Sequence, residues 1–161
     1  MPKIVVVNST PIIALKNIGL LPILEDVYGE ISIPSAVNEE IAIYDENWVA
    51  LYPWIHVRRV LNSEVVSFLS SSLHKGEIEA LLLARELSAD LIIVDDNLAR
   101  KHAGYLGLVV TGTIGVLLRA KQEGVVSMLA PIIRDLISSG FYISESIINE
   151  VLILAGESID K

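Results

Sequence analysis

Two adjacent carboxylates, Asp95 and Asp96, follow the apolar run Leu91–Val94, and Asn8, Ser9 and Thr10 follow another, Lys3–Val7. Carboxylate oxygens at the end of a buried strand are the ligands that Mg2+ and Mn2+ prefer. Asp96 is equally placed to cap a helix that begins near Asn97. Further acids separate when helices are laid out at about 100° per residue. Over Ser35–Tyr44, with Val37 at zero, Ile41 falls at about 40° and Tyr44 at about 340°, which marks a buried stripe. Glu40, at about 300°, flanks that stripe, whereas Glu39, at about 200°, faces solvent. Over Glu77–Leu87, with Ile78 at zero, Glu77 falls at about 260° among Ala80, Leu81 and Ala84. Glu79 and Glu86, at about 100° and 80°, form an acidic stripe expected in solvent. A carboxylate among small apolar residues needs a partner, and the first turn of a helix favours an anion. An ordinary solvated glutamate is the other reading of Glu77.

Glu40, Glu77 and Asp95, with Asp96 adjacent, therefore lie on separate elements that can bring them together. Carboxylates so gathered repel one another unless a cation neutralises them. Such a centre suits metal-assisted hydrolysis of a phosphodiester. Arg100 and Lys101 follow the acidic pair on a helix, and Arg119 and Lys121 lie on a later one. All four are placed to meet phosphates, with a solvated helix face as the competing role. Arg58 and Arg59 point to opposite sides of a strand and form no patch by themselves. His56, His74 and His102 lack the mutual spacing of a metal site, although His102 is an acid or base if it faces the cleft. Trp48 and Trp54, in an irregular segment around Pro53, either stack on bases or pack a loop.

The elements that must position these residues follow from the hydrophobic pattern. Short β-branched runs at Lys3–Val7, Glu30–Ile33, Ile55–Val60, Leu91–Val94 and Leu108–Val110 read as strands. Helices are expected from Pro11 to about Gly19, over Leu21–Tyr28 and Ser35–Tyr44, from Asn62 to about Ser70, and over Glu77–Leu87 and Asn97–Leu106. Three more follow at Ile114–Glu123, Val126–Ser138 and Glu145–Ala155, with Gly124, Gly140 and Gly156 as stops. Asp45–Pro53 and Ser70–Gly76 read as loops. Strands alternating with helices indicate a three-layer α/β/α fold with a mostly parallel sheet, whose ligand site lies beyond the carboxyl ends of the strands.

At 161 residues the chain is expected to form one domain, residues 1–161. Twenty acids against twelve Lys and Arg leave a net charge of −8, which argues against coating nucleic acid through a broad basic face. The absence of cysteine excludes disulfides, thiolate catalysis and Cys-ligated metals. Mean hydropathy is high, at +0.57, yet the apolar runs stay far below the ~18 residues of a membrane span. Asn8–Thr10 and Lys16 break the order of a secretory signal, so the expected compartment is the cytoplasm.

The segments Val5–Leu24 (VVVNSTPIIALKNIGLLPIL), Ile33–Ile41 (IPSAVNEEI), Lys75–Arg100 (KGEIEALLLARELSADLIIVDDNLAR) and Thr111–Gly124 (TGTIGVLLRAKQEG) together resemble a PIN domain. This is the ribonuclease fold shared with VapC-type toxins, and the chain is most similar to a PIN subfamily of predicted nucleic-acid-binding proteins. The resemblance implies a Mg2+- or Mn2+-dependent endoribonuclease. It assigns Glu40, Glu77 and Asp95 to the second, third and fourth acidic positions, with Asp96 as an additional ligand. The general pattern has Asp where this chain has Asn8, an amide that offers a carbonyl ligand without charge. Ser9 and Thr10 are placed to position ligand or water, or to cap the following helix. The same resemblance implies RNA as substrate, a homodimer and an antitoxin partner. Asn8 favours the alternative of a PIN-fold binding module with weak or lost catalysis. A phospho-receiver domain is rejected, because its acidic pair follows the first strand.

Overall fold

The structure, a computed structural model, describes residues 3–61 and 73–157. Its five strands are β1 (Val5–Val7), β2 (Ile31–Pro34), β3 (Ile55–Arg58), β4 (Leu91–Ile93) and β5 (Val110–Thr111). They form one sheet in the order β3-β2-β1-β4-β5, and every pairing is parallel. Parallel neighbours need long crossovers, and helices supply them. The helices are α1 (Ser9–Asn17), α2 (Ile23–Tyr28), α3 (Ser35–Ala42), α4 (Lys75–Glu86), α5 (Asn97–Tyr105), α6 (Thr113–Gln122), α7 (Ala130–Ser138) and α8 (Glu145–Leu154). The helix expected over Asn62–Ser70 lies outside the described residues.

The period of two along a strand divides the interior into two cores. Val5, Val7, Leu91 and Ile93 face one core with Ile12, Leu15, Leu24, Val116, Leu117 and Leu136. Val6, Ile92 and Val94 face the other with Ile78, Ala80, Leu83, Ala84, Ala99 and Ala103. Strands β1 and β4 are therefore buried on both faces, as continuous aliphatic runs require. The alanines of α4 and α5 let these helices approach the sheet closely. Asp90 ties the ends together: its Oδ2 accepts from Lys3 N at 3.0 Å and Ile4 N at 2.9 Å, just before β4 begins.

Two local expectations change. Helix α3 ends at Ala42, so Tyr44 is 88% exposed and does not continue the stripe of Val37 and Ile41. The Asp45–Pro53 loop contains a short 3-10 turn, Trp48–Leu51, that carries Trp48 into the core, where it is 1% exposed and donates from Nε1 to Asn38 Oδ1 at 3.0 Å. Tyr52 bridges the two indoles, with ring centroids 6.1 Å from Trp48 and 5.9 Å from Trp54. Both tryptophans pack the interior and are not available to bases. No described helix is long and apolar enough to cross a membrane.

The strand order reverses at β1. The chain moves outward through β2 and β3, then crosses back to place β4 on the other side of β1. Such a reversal opens a crevice at the carboxyl ends of the two central strands. Asn8 and Asp95 lie there.

Candidate functional site

Asn8 enters the site directly from β1, held by its backbone N–H on Ile93 O at 3.0 Å. Its backbone is extended, as suits a residue ahead of a helix, yet its side chain forms no cap on α1. Asn8 is 1% exposed, and its Oδ1 is buried without any hydrogen-bond partner. An acceptor left this way costs about 1–3 kcal/mol, which is a strong reason to ask what it is aimed at. The first turn of α4 answers. A Cβ at Gly76 would stand 3.3 Å from Glu40 Oε1, 3.6 Å from Val37 Cγ2 and 3.7 Å from Asn8 Oδ1. Glycine at 76 thus leaves open the small space shared by the amide oxygen of Asn8 and the carboxylate of Glu40. Position 76 is part of α4, which begins two residues before the expected start.

Glu77 is next in the same turn and is half-buried. Its Oε1 accepts from His74 N at 3.1 Å, and the His74 side chain accepts in return from the Glu77 backbone. This reciprocal arrangement is a capping box with histidine in the place of serine. Burial pushes the Glu77 carboxyl above its ordinary value against the pull of the His74 N–H, and the negative charges of Asp96 and Glu40 push in the same direction as burial. The charges of both the α3 acid and the acid that follows β4 therefore act on Glu77. A cleft of about 420 Å³ opens here, lined by Ser9, Thr10, Glu40, His74, Gly76 and Glu77 among others. Ser9 and Thr10 belong to the first turn of α1, Ser9 buried and Thr10 exposed, and neither provides a capping bond.

The two aspartates divide their roles. Asp95 Oδ1 accepts from Thr113 N at 2.8 Å and Oδ2 from Thr113 Oγ1 at 2.6 Å, so both of its oxygens fasten the start of α6. Asp96 Oδ2 accepts from Ala99 N at 2.9 Å, the capping role weighed for it above, while its charge still reaches Glu77. Among the described residues, no three His, Asp or Glu side chains lie close enough to hold a metal ion as they stand. The arrangement brings together Asn8, Glu40 and Glu77 and leaves Asp95 turned toward α6. An unpartnered carbonyl oxygen beside two carboxylates fits a hard divalent cation, above all one that keeps several of its waters.

Glu79 corrects the expected solvent stripe. It is 6% exposed and accepts from Ala36 N at 3.0 Å. Pro34, which precedes α3, has no side-chain cap to offer, and Glu79 reaches across from α4 to provide one. The helices that carry Glu40 and Glu77 are thereby joined. Glu39 is exposed, but so is Glu40, and Glu39 lines the cleft with it; Glu86 is half-buried and accepts from Leu61 N at 3.0 Å. Of the basic residues, Arg119 pairs with Glu123 and Lys121 with Glu157 at 2.8 Å, so neither is free for a phosphate. Arg100 and Asp95 both close on Gly112: a Cβ there would lie 2.7 Å from Arg100 Nη1 and 2.6 Å from Asp95 Oδ1. Lys101 is exposed on α5, and His102 contacts Tyr105 edge-on, with ring centroids 6.4 Å apart. His74, Lys75 and Gly76 were missed as cleft residues, although a polar residue three before Glu77 is the spacing of a capping box.

A family model described as a PIN domain matches residues 4–157, nearly the whole described chain. The chain belongs to the PIN-domain family. PIN domains generally have nuclease activity and typically use Mg2+ or Mn2+. Among solved structures, a PilT N-terminus domain protein from the hyperthermophilic archaeon Sulfolobus solfataricus P2 is similar at 21% identity, covering 71% of this chain and 90% of its own, with a TM-score of 0.48. None of the curated proteins matches. Within this PIN domain, Glu40 and Glu77 line the cleft described above, and Asn8 follows β1 with an amide.

Proposed function

We propose that this PIN domain hydrolyses RNA phosphodiester bonds with Mg2+ or Mn2+. The observation that carries the proposal is the buried, unpartnered Oδ1 of Asn8, facing the same glycine-lined space as Glu40 and flanked by Glu77. Asn8, Glu40 and Glu77 would hold the cation, with Asp96 and Asp95 acting through water. When bound, the cation supplies positive charge to the phosphate and acidifies a water. Glu77 has one oxygen anchored by His74 N–H, which fixes the carboxylate and leaves the other oxygen for the cation. Ser9 and Thr10 border the cleft and would orient that water or a phosphate oxygen, and Arg100 would steady the substrate beside Asp95.

A second reading, a binding module with weak catalysis, is favoured by two observations: Asn8 carries no charge, and both oxygens of Asp95 are committed to Thr113. Calorimetry with Mn2+ and cleavage of single-stranded RNA by wild type, Asn8→Asp and Glu77→Gln separate the two. Metal-dependent cleavage that Glu77→Gln abolishes supports the nuclease, and no uptake at millimolar Mn2+ removes it. Metal binding without cleavage until Asn8→Asp is introduced supports the module. The family resemblance extends the nuclease reading to a cytoplasmic toxin that forms a homodimer and meets an antitoxin. Light scattering and co-purification with the product of a neighbouring gene test those two assemblies.

A further inference from the structure

The acid cleft poses a problem for its own proposed substrate. A chain of net charge −8 with carboxylates at its centre repels a phosphate backbone unless cations stand nearby. The ion pairs show which cations are spent. Lys16 is held by Asp45 at 2.9 Å, Arg119 by Glu123 and Lys121 by Glu157, while Arg58 donates to Ser32 Oγ at 2.9 Å. Among the described residues beside the cleft, Arg59 and Lys75 keep their charges without an ion pair or hydrogen bond.

These two meet in a second, smaller pocket of about 320 Å³, formed where β3 ends and where α3 and α4 begin. Its lining is Ser35, Glu39, Arg59, Val60, Lys75 and Glu79. Glu39 and Lys75 also line the acid cleft, so the two pockets adjoin. Glu79 turns its carboxylate to Ala36 N–H and into the start of α3, where the helix dipole offsets its charge. That leaves two free cations against one free acid, Glu39, while the Ser35 hydroxyl donates to Arg58 O at 3.3 Å. Resting on the nuclease reading above, we infer that this pocket is a phosphate subsite: Arg59 and Lys75 hold the backbone of single-stranded RNA one step along from the acid centre. Arg100 stands beyond the acids, on the β4–β5 side of the strand reversal. The substrate strand therefore crosses the carboxyl edge of the sheet, with cations on both sides of the reacting phosphate.

The test uses the full chain, a short single-stranded RNA oligonucleotide and the variants Arg59→Gln, Lys75→Gln and their combination. Binding is measured in EDTA over a range of salt. Each phosphate contact on a single strand adds about 0.7 to the slope of log K against log salt, so each substitution should weaken binding about fivefold at 0.1 M salt and the pair about 25-fold. The slope should flatten by about 1.4 in the double variant. Glu39→Gln should tighten binding, and Arg85→Gln, a free cation in the last turn of α4, should leave it unchanged. In Mn2+-dependent cleavage the double variant should raise KM with little change in kcat. A double variant with wild-type affinity and slope overturns the subsite, as does an equal loss from Arg85→Gln. Failure of the nuclease reading looks different: wild type would bind RNA in EDTA with the full slope yet take up no Mn2+ and cleave nothing, and the binding series would still decide the subsite.

Discussion

Two glutamates, one in the first turn of α4 and one just after α8, are displaced in opposite directions. Glu77, in the first turn of α4, holds its carboxyl above the ordinary value, because burial and the charges of Asp96 and Glu40 outweigh the single His74 N–H. Glu157 follows α8, and its side chain is 5% exposed. Burial alone would raise it too, but Lys121, Leu129 N and Ala130 N all donate to it, and together they hold it below the ordinary value. Burial is thus common to both, and the donors decide the sign. At Glu157 the protein supplies every donor, and the result is a clasp between α8, α6 and the start of α7. At Glu77 it withholds them and places acids instead, so charge is left for something from outside to neutralise.

The most severe way to break this comparison is Glu77→Gln. RNA cleavage should fall about 100-fold or more, the upper end of what losing even an outer-shell metal partner costs, while urea denaturation of the metal-free protein shows equal or greater stability. Glu157→Ala should do the reverse, with cleavage at 25 °C near wild type and a loss of about 3 kcal/mol in the same denaturation, since three donors lose a charged acceptor. Glu79→Ala should cost about 1–2 kcal/mol as a lost helix cap. Because Glu79 joins α3 to α4, the same change should also weaken Mn2+ binding in calorimetry, whereas Glu79→Gln keeps an acceptor for Ala36 N and should restore both. Asn8→Asp sharpens the contrast from the other side. It should raise Mn2+ affinity about tenfold, the scale of a change in the immediate support of a metal, while lowering the melting temperature of the metal-free protein.

Acidity offers the smallest effect and the cleanest sign. A carboxyl held low contributes stability above its ordinary value, and that contribution is lost as pH falls through the lowered one. Glu157 behaves this way. For Glu77 the pKa is raised, so the ionised side chain is a penalty at neutral pH that is relieved as pH falls through the raised value. Metal-free protein should therefore gain slightly in stability on mild acidification before losing it at lower pH. Saturating Mn2+ should remove the gain and keep the loss, as thermal melts across pH would show.

Much of this was legible along the chain. The short apolar runs marked β1, β2 and β4, which are buried throughout, and alternation marked β3, although much of it is exposed. Helical angles placed Glu77 against the core, but they set Glu39 apart from Glu40, whereas both are exposed and both line the cleft. The angles also failed at Glu79, because an angle on one helix says nothing about a neighbour lying over its polar face. Here the uncapped start of α3 covers that face. Asp95 was legible as a strand-end acid, but its engagement by Thr113 depends on where β5 delivers the next helix. Gly76 read as loop, since its meaning comes from Glu40 and Asn8, residues remote in sequence.

The unpartnered oxygen of Asn8 also makes the fold a reporter of its own ligands. Whatever satisfies that oxygen binds the native chain and not the unfolded one, so a ligand at 100 times its Kd adds about 2.7 kcal/mol to stability. A melting curve then reads out occupancy of the cleft without a substrate, a label or any assumption about the reaction, and libraries of cations and oligonucleotides can be ranked by the temperature at which this chain lets go.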